Sequence, residues 1–282
     1  MFIATLIAAS LPKGEVAAAR DRLDAAGCLP VAEEWVEDGV ACDLQFGRDM
    51  AAARAALEGE GYDVVVQPVE HRRKKLIVAD MDSTMITVEC IDELADYVGL
   101  KAEVAAVTER AMRGEIDFAG ALRDRVVLLA GMKESTVAKC LRERVKVTSG
   151  AKGLIRAFRA NGGTTILVSG GFNHFADPVA AEIGFDRALA NRLVVKDGRL
   201  TGVTEQPIVD AEAKKATLLT ALAERGLPPS ASIAIGDGAN DIPMIEAAGL
   251  GVAYHAKPKT EAAADARVRF GDLSVVRYSL GI

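Results

Sequence analysis

Three short apolar runs decide what this 282-residue chain can fold into. Residues 76–79 (LIVA), 165–168 (TILV) and 232–235 (SIAI) each break at once into a turn of small polar residues. The turns are Asp80-Met81-Asp82-Ser83-Thr84, Ser169-Gly170-Gly171 and Gly236-Asp237-Gly238-Ala239-Asn240-Asp241. Helical stretches lie between the runs. Apolar strands that do not alternate, separated by helices, build parallel sheets covered on both faces. Such sheets form their sites beyond the carboxyl ends of the strands, where all three turns fall. The expected fold class is therefore α/β, with a Rossmann-like parallel sheet as its core.

Residues 1–70 follow another rhythm. A strand is expected at 2–9, then a helix at 13–26 with Val16, Ala19, Leu23 and Ala26 on one face, closed by Gly27. Extended segments at 31–36 and 40–46 flank Glu37-Asp38-Gly39, a hairpin signal. A helix at 49–60 and a strand at 62–69 complete a βαββαβ order, the split ferredoxin-like pattern of a small α+β domain. In topology this resembles the amino-acid-sensing modules of the ACT kind. At roughly 150 residues per domain, two domains are expected, divided as 1–70 and 71–282. The charged stretch Glu70-His71-Arg72-Arg73-Lys74-Lys75 between them reads as a solvated connector. Between the first and second apolar runs, amphipathic segments at 91–98, 101–113, 118–129 and 133–145 are too much for one crossover helix. They read as an inserted helical cap of about residues 86–148. A hairpin at 192–195 and 199–203, turning at Lys196-Asp197-Gly198, precedes the third run.

Composition narrows the partners. Lys and Arg number 34 against 40 Asp and Glu, a net charge of -6, which draws neither a nucleic acid nor an anionic membrane to the surface as a whole. Aromatic residues make up 5%, too few for base-stacking platforms. Cys28, Cys42, Cys90 and Cys140 are scattered without a CxxC pair, which points to a reducing cytoplasm and away from zinc or a disulfide framework. The apolar opening, residues 1–11, lacks a basic n-region and reads as a buried strand.

The chemistry gathers at the three turns. In an extended chain Asp80 and Asp82 face the same side, and two buried acids repel unless a cation or a division of labour separates them. Ser169 and the glycines after it offer a hydroxyl and approachable backbone N–H groups to an oxyanion. Asp237 and Asp241 bring two further acids to the same edge, although Asn240 or Asp241 could also cap the helix that starts near Pro243. Lys214, on a helix expected at 210–225, reads by itself as a surface lysine. Asp80, Asp82, Asp237 and Asp241 together form an all-oxygen set that suits Mg2+. His174 and His255 lie near no nucleophile pattern and read as ordinary surface or helix-end residues.

In order and spacing, DxDxT, Ser-Gly-Gly, Lys and GDGxND resemble the haloacid dehalogenase-like phosphohydrolases, from about Leu76 to the C-terminus. DMDSTMITVECIDELA, SGGFNHF, ANRLVVKDGRLTG and GDGANDIPM narrow the resemblance to the branch acting on O-phospho-L-serine. The resemblance implies Asp80 as nucleophile, forming an aspartyl-phosphate, and Asp82 as general acid and base. It implies Mg2+ held by Asp80, the main-chain carbonyl of Asp82 and Asp237, with Asp241 close by or acting through water. It implies phosphate contacts from Ser169, Gly170, Lys214 and Asn240. From the cap it implies Glu89 for the substrate amino group, Arg125 in preference to Arg123 for its carboxylate, and Met112 and Phe118 as an apolar wall. Met81 stands where that family more often has Phe, and Pro243 where a small residue is common.

The expectation is a Mg2+-dependent phosphomonoester hydrolase in serine biosynthesis, in the cytoplasm, with a homodimer and serine binding at the N-terminal module as further partners. The alternative is a sister phosphatase or phosphotransferase for another small phosphomonoester, such as phosphohomoserine. A non-catalytic amino-acid sensor would have lost an acid or Lys214, and all are present. An ion pump using an aspartyl-phosphate needs spanning segments, for which the sequence has no window.

Overall fold

Among the described residues ten strands form one sheet, side by side in the order 30–37, 41–46, 2–7, 63–68, 266–268, 251–254, 232–236, 76–79, 164–172 and 187–191. The computed structural model describes residues 1–59, 61–113 and 115–282, with the side chain of Met112 outside the described set. The N-terminal elements are β1 (Phe2–Ile7), α1 (Lys13–Ala25), β2 (Pro30–Glu37), β3 (Ala41–Phe46), α2 (Met50–Leu57) and β4 (Asp63–Pro68). Their strands pair antiparallel throughout, as βαββαβ connectivity requires when two split βαβ units interlock. Helix α2 is shorter than expected at both ends: Asp49, in a left-handed conformation, caps it by accepting the Ala52 N–H at 2.9 Å, and Glu58 is already extended, with residue 60 outside the described residues.

The larger part begins with β5 (Leu76–Ala79) and continues through the helices α3 (Cys90–Tyr97), α4 (Lys101–Met112), α5 (Phe118–Leu128) and α6 (Glu134–Arg144). Then come α7 (Ala151–Ala160), β6 (Thr164–Phe172), α8 (Asn173–Ile183), β7 (Arg187–Asn191) and the hairpin β8 (Leu193–Lys196) and β9 (Arg199–Thr204). The chain ends with α9 (Ala211–Glu224), β10 (Ser232–Gly236), α10 (Ile242–Ala247), β11 (Gly251–Tyr254), α11 (Pro258–Ala263), β12 (Ala266–Val268) and α12 (Ser274–Ser279). Strands β12, β11, β10, β5, β6 and β7 are parallel. Every residue of β5 is buried. Ile77 and Ala79 pack with Leu154 and Phe158 of α7 on one face, and Leu76 and Val78 with Leu218 of α9 and Ile245 of α10 on the other.

Two features depart from the sequence expectation. The antiparallel and parallel halves share one sheet, joined where Arg267 of β12 pairs with Val64 of β4. The charged connector is also not simply solvated. Arg72 forks onto the buried Asp43 at 2.7 and 2.9 Å and donates to the carbonyls of Tyr278 and Ser279. Lys74 is buried, with Nζ on the Ser230 carbonyl at 2.9 Å. Each finds acceptors that lie far away in sequence.

Helices α3 to α6 stand over the carboxyl edge of the parallel strands. The two stretches leading into and out of them pair with each other: Ile86 bridges Val147, and Thr148 N–H meets the Met85 carbonyl at 3.0 Å. A third tie comes from the β8–β9 hairpin, which exchanges backbone hydrogen bonds with the α5–α6 loop, Gly131 N–H to Leu200 O and Leu200 N–H to Met132 O, both at 2.8 Å.

Candidate active site

Asp80 follows β5 directly, and its N–H donates to Ile235 O of the adjacent β10 at 2.9 Å, which fixes the two strand ends together. After it the chain turns through Met81–Met85, with Ser83 at φ 53. That turn sends Asp82 back toward the site, where Oδ1 accepts the Cys90 N–H at the start of α3 at 3.0 Å. β10 delivers Asp237 and Gly238. Asp241 is fully buried beneath them, its Oδ2 accepting the N–H groups of Gly238 at 3.0 Å and Asp237 at 3.2 Å. A side chain at Gly236 would put its Cβ 2.4 Å from Asp241 Cγ, so this turn depends on glycine.

Lys214 stands among the aspartates, where the resemblance, and not its helix read by itself, puts it. It is wholly buried, and Nζ donates to Asp80 Oδ1 and Asp241 Oδ1, both at 2.7 Å. Its place on the buried stripe of α9 with Leu218, Ala221 and Leu222 is the helical period that would have revealed it. Asp241 likewise does not cap α10; both of its oxygens are taken by Lys214 and the 237–238 backbone.

The electrostatics follow from crowding. Burial first, then the charges of Asp241 and Asp82, raise the Asp80 carboxyl well above its ordinary value against the pull of Lys214. Burial and the neighbouring Glu89 push Asp82 up to about 7, despite the hydrogen bonds from Cys90. Asp237 is pushed up to about 6 by burial, Asp241 and Glu89, with Lys257 and Lys214 opposing. Burial works against the Lys214 charge, yet Asp80 and Asp241 more than offset it and its value rises.

Above the aspartates lies a cavity of about 420 Å3. Its floor holds Asp80, Asp82, Asp237, Asn240, Gly170 and Gly171; its roof holds Glu89, Asp92, Thr108, Phe118, Leu122 and Arg125 from the cap. Phe118 stands against Gly170, where an added Cβ would lie 3.2 Å from the ring. Arg125 turns inward, its charge disfavoured by burial and supported by Asp92, Glu89 and Asp82, whereas Arg123 is exposed and does not line the cavity. Glu89 Oε1 accepts from Ser83 Oγ at 2.7 Å. Ser169 is buried behind the wall; its Oγ accepts the Gly171 N–H at 2.9 Å and lies 3.5 Å from Asp82 Oδ2. Met112 lies in α4, with its side chain outside the described residues. His174 meets Asn173 and Glu134, and His255 the Gly271 carbonyl, so neither joins the aspartates.

Sequence patterns missed Thr84, whose Oγ1 donates to Asp237 Oδ1 at 3.3 Å, and Lys257, which lines the mouth near Asp237. The position of Thr84 in DxDxT was a usable signal; for Lys257 there was none.

Oxygen atoms of Asp80, Asp237 and Asp241 lie within 4.8 Å of one another. Hard carboxylates this close, and more numerous than the one lysine between them, fit a divalent cation of the Mg2+ kind. Because Asp241 spends both oxygens on protein donors, Asp80 and Asp237 are the better placed direct ligands.

A parallel sheet thus holds acids at its carboxyl edge, with a buried lysine between them and helices α3 to α6 above. The chain belongs to the haloacid dehalogenase-like hydrolases, whose family model matches residues 77–246. Within that family it is similar to a phosphoserine phosphatase from Albidiferax ferrireducens, 48% identical over 204 residues that span 71% of this chain and 86% of that protein. Two solved structures cover 99% of this chain. A HAD family hydrolase from Salmonella enterica serovar Typhi matches over 99% of its own length with a TM-score of 0.88 and 25% identity. A probable phosphoserine phosphatase from Vibrio cholerae, in unliganded form, matches over 86% of its length with a TM-score of 0.79 and 32% identity.

Proposed function

We infer that this protein hydrolyses O-phospho-L-serine to L-serine and phosphate. One observation carries the inference: a single cavity has the aspartates and Gly170 on its floor and the opposed charges of Glu89 and Arg125 on its roof. The floor suits a phosphate ester and the roof a zwitterion.

Asp80 is the nucleophile. A carboxylate oxygen forms a bond to phosphorus as the bond from phosphorus to the seryl oxygen breaks, and Asp82 gives its proton to that oxygen. An acid pushed up to about 7 holds that proton near neutrality. Asp82, now a carboxylate, takes a proton from a water that attacks phosphorus; phosphate leaves and Asp80 is restored. Lys214 holds Asp80 in place and offsets charge on the phosphoryl oxygens, helped by Ser169, the Gly170 backbone and Asn240. Mg2+, bound by Asp80, the Asp82 carbonyl, Asp237 and Asp241 through water, would supply further positive charge to the phosphoryl group. Glu89 receives the amino group, Arg125 the carboxylate, and Phe118 excludes water.

In this account the chain divides at 70/71, with the cap at about 86–148. The N-terminal module is ACT-like and binds serine as an effector in a cytoplasmic homodimer, and the reaction ends serine biosynthesis. Phosphate release from phosphoserine, phosphohomoserine, p-nitrophenyl phosphate and sugar phosphates, with and without Mg2+, tests the substrate. Equal rates across the panel would reject phosphoserine, and activity retained in Asp80→Asn would reject the covalent route.

A further inference from the structure

At the end of β6 the sheet ladder breaks. Ser169 stands opposite Ala190, and the next pair is Phe172 opposite Asn191, so Gly170 and Gly171 bulge out of register. Both line the cavity. A bulge deprives a buried carbonyl of its regular strand partner, which must be replaced from elsewhere. Asn191, the last residue of β7 and 1% exposed, replaces it. Its Nδ2 donates to the Gly170 carbonyl at 2.9 Å and to the Val209 carbonyl at 3.2 Å, and its Oδ1 accepts the Val209 N–H at 2.7 Å.

The side-chain amide thus treats Val209 as a neighbouring peptide would, and holds Gly170 with the same donor. Val209 leads directly into Asp210, whose side chain caps α9 through the Ala213 N–H at 2.9 Å. The Lys214 N–H closes on the Asp210 carbonyl at 3.0 Å, one turn into the helix. From Asn191 there is therefore a continuous path of short bonds to Gly170 on one side and to the base of Lys214 on the other. The Gly170 and Val209 backbones are also direct neighbours: a Cβ on Gly170 would sit 3.7 Å from the Val209 carbonyl oxygen, an ordinary van der Waals contact.

We propose that Asn191 is a positioning residue for the phosphate end of the substrate, setting the distance between the Gly170 wall and the helix that carries Lys214. The proposal rests on the phosphoserine reading for its substrate. It acts on phosphate alone, because the amino-acid end is held by Glu89 and Arg125 on the cap, which Asn191 does not touch.

Asn191→Asp is the sharpest test. It keeps the shape and the acceptor for the Val209 N–H, but turns an oxygen toward two carbonyls in place of the donor. Inhibition of full-length enzyme by inorganic phosphate and by L-serine is measured against phosphoserine hydrolysis. The phosphate inhibition constant is expected to rise on the order of tenfold, the loss of a buried hydrogen bond, while that of L-serine stays within about twofold. Both constants rising together, or neither moving, overturns the proposal. If the wild type does not hydrolyse phosphoserine, the substrate reading fails, and calorimetric titration of both proteins with phosphate still decides the role of Asn191. Asn191→Ser repeats the measurement if the first variant does not fold. If neither folds, 15N-labelled wild type decides it: the Asn191 side-chain amide signal must shift on saturation with phosphate, and an unmoved signal overturns the proposal.

Discussion

Lys214→Met isolates the charge at the centre of the site, since methionine keeps most of the stem and its packing. In the native chain Nζ makes two bonds of 2.7 Å to carboxylates that are themselves 5% and 0% exposed. Removing one partner of a buried ion pair strands the other and costs about 3–5 kcal/mol. Here two carboxylates are stranded, and each relieves part of the cost by taking up a proton, so the lower half of that range is expected. With a urea dependence of about 3 kcal/mol/M for a chain of this size, the midpoint should fall by about 1 M. Equilibrium unfolding in EDTA, followed by far-UV circular dichroism, reads this directly. Adding Asp241→Asn removes one stranded charge, and the double variant should recover about 1 kcal/mol. A midpoint shift under about 0.3 M, or a double variant no more stable than the single, would refute the buried-cation account.

Three further outcomes follow from the same geometry. Asp82 titrates at about 7 in the folded protein against an ordinary 3.8, so the native state keeps a proton that the unfolded chain releases. Metal-free stability should therefore fall as pH rises from about 4 to 7, and Glu89→Gln, by removing a raising charge, should flatten that slope; an unchanged slope in urea melts across this window contradicts it. Millimolar Mg2+ should raise the melting temperature of the wild type, and Asp237→Asn should abolish the rise in differential scanning fluorimetry. Arg72→Met, leaving Asp43 buried without its cation, should cost about 3 kcal/mol in urea unfolding; a cost near zero would mean that the connector does not anchor the seam.

The parallel core was legible because its strands are buried on both faces and so read as unbroken apolar runs, each ending at a polar turn. The cluster of aspartates was legible for the same reason, since the turns lie at one sheet edge. Lys214 was legible through its motif alone: read by itself it is a surface lysine, although it shares a buried stripe with Leu218 and Leu222. The seam was not legible. β12 has three residues and pairs with β4 through one register position, and no local periodicity announces a partner some two hundred residues away. The same distance hid the anchoring of Arg72 and Lys74, whose acceptors are Asp43 and the carbonyls of residues 230, 278 and 279.

That seam also sets an order of events. Asp63, at the start of β4, gathers the N–H groups of Arg269, Phe270 and Gly271 at 2.7, 3.2 and 2.7 Å, so the stretch after β12 is shaped by an acid made two hundred residues earlier. On the ribosome the first four strands emerge long before β12 exists, and β4 waits with an open edge. β12 closes against that edge only after some two hundred further residues have been made. Such a closure carries the entropy of a very long loop and makes the sheet one of high contact order, slow to complete. Until then the nascent chain holds two sheets with bare edges, and the helix α12 clasped by Arg72 emerges later than β12.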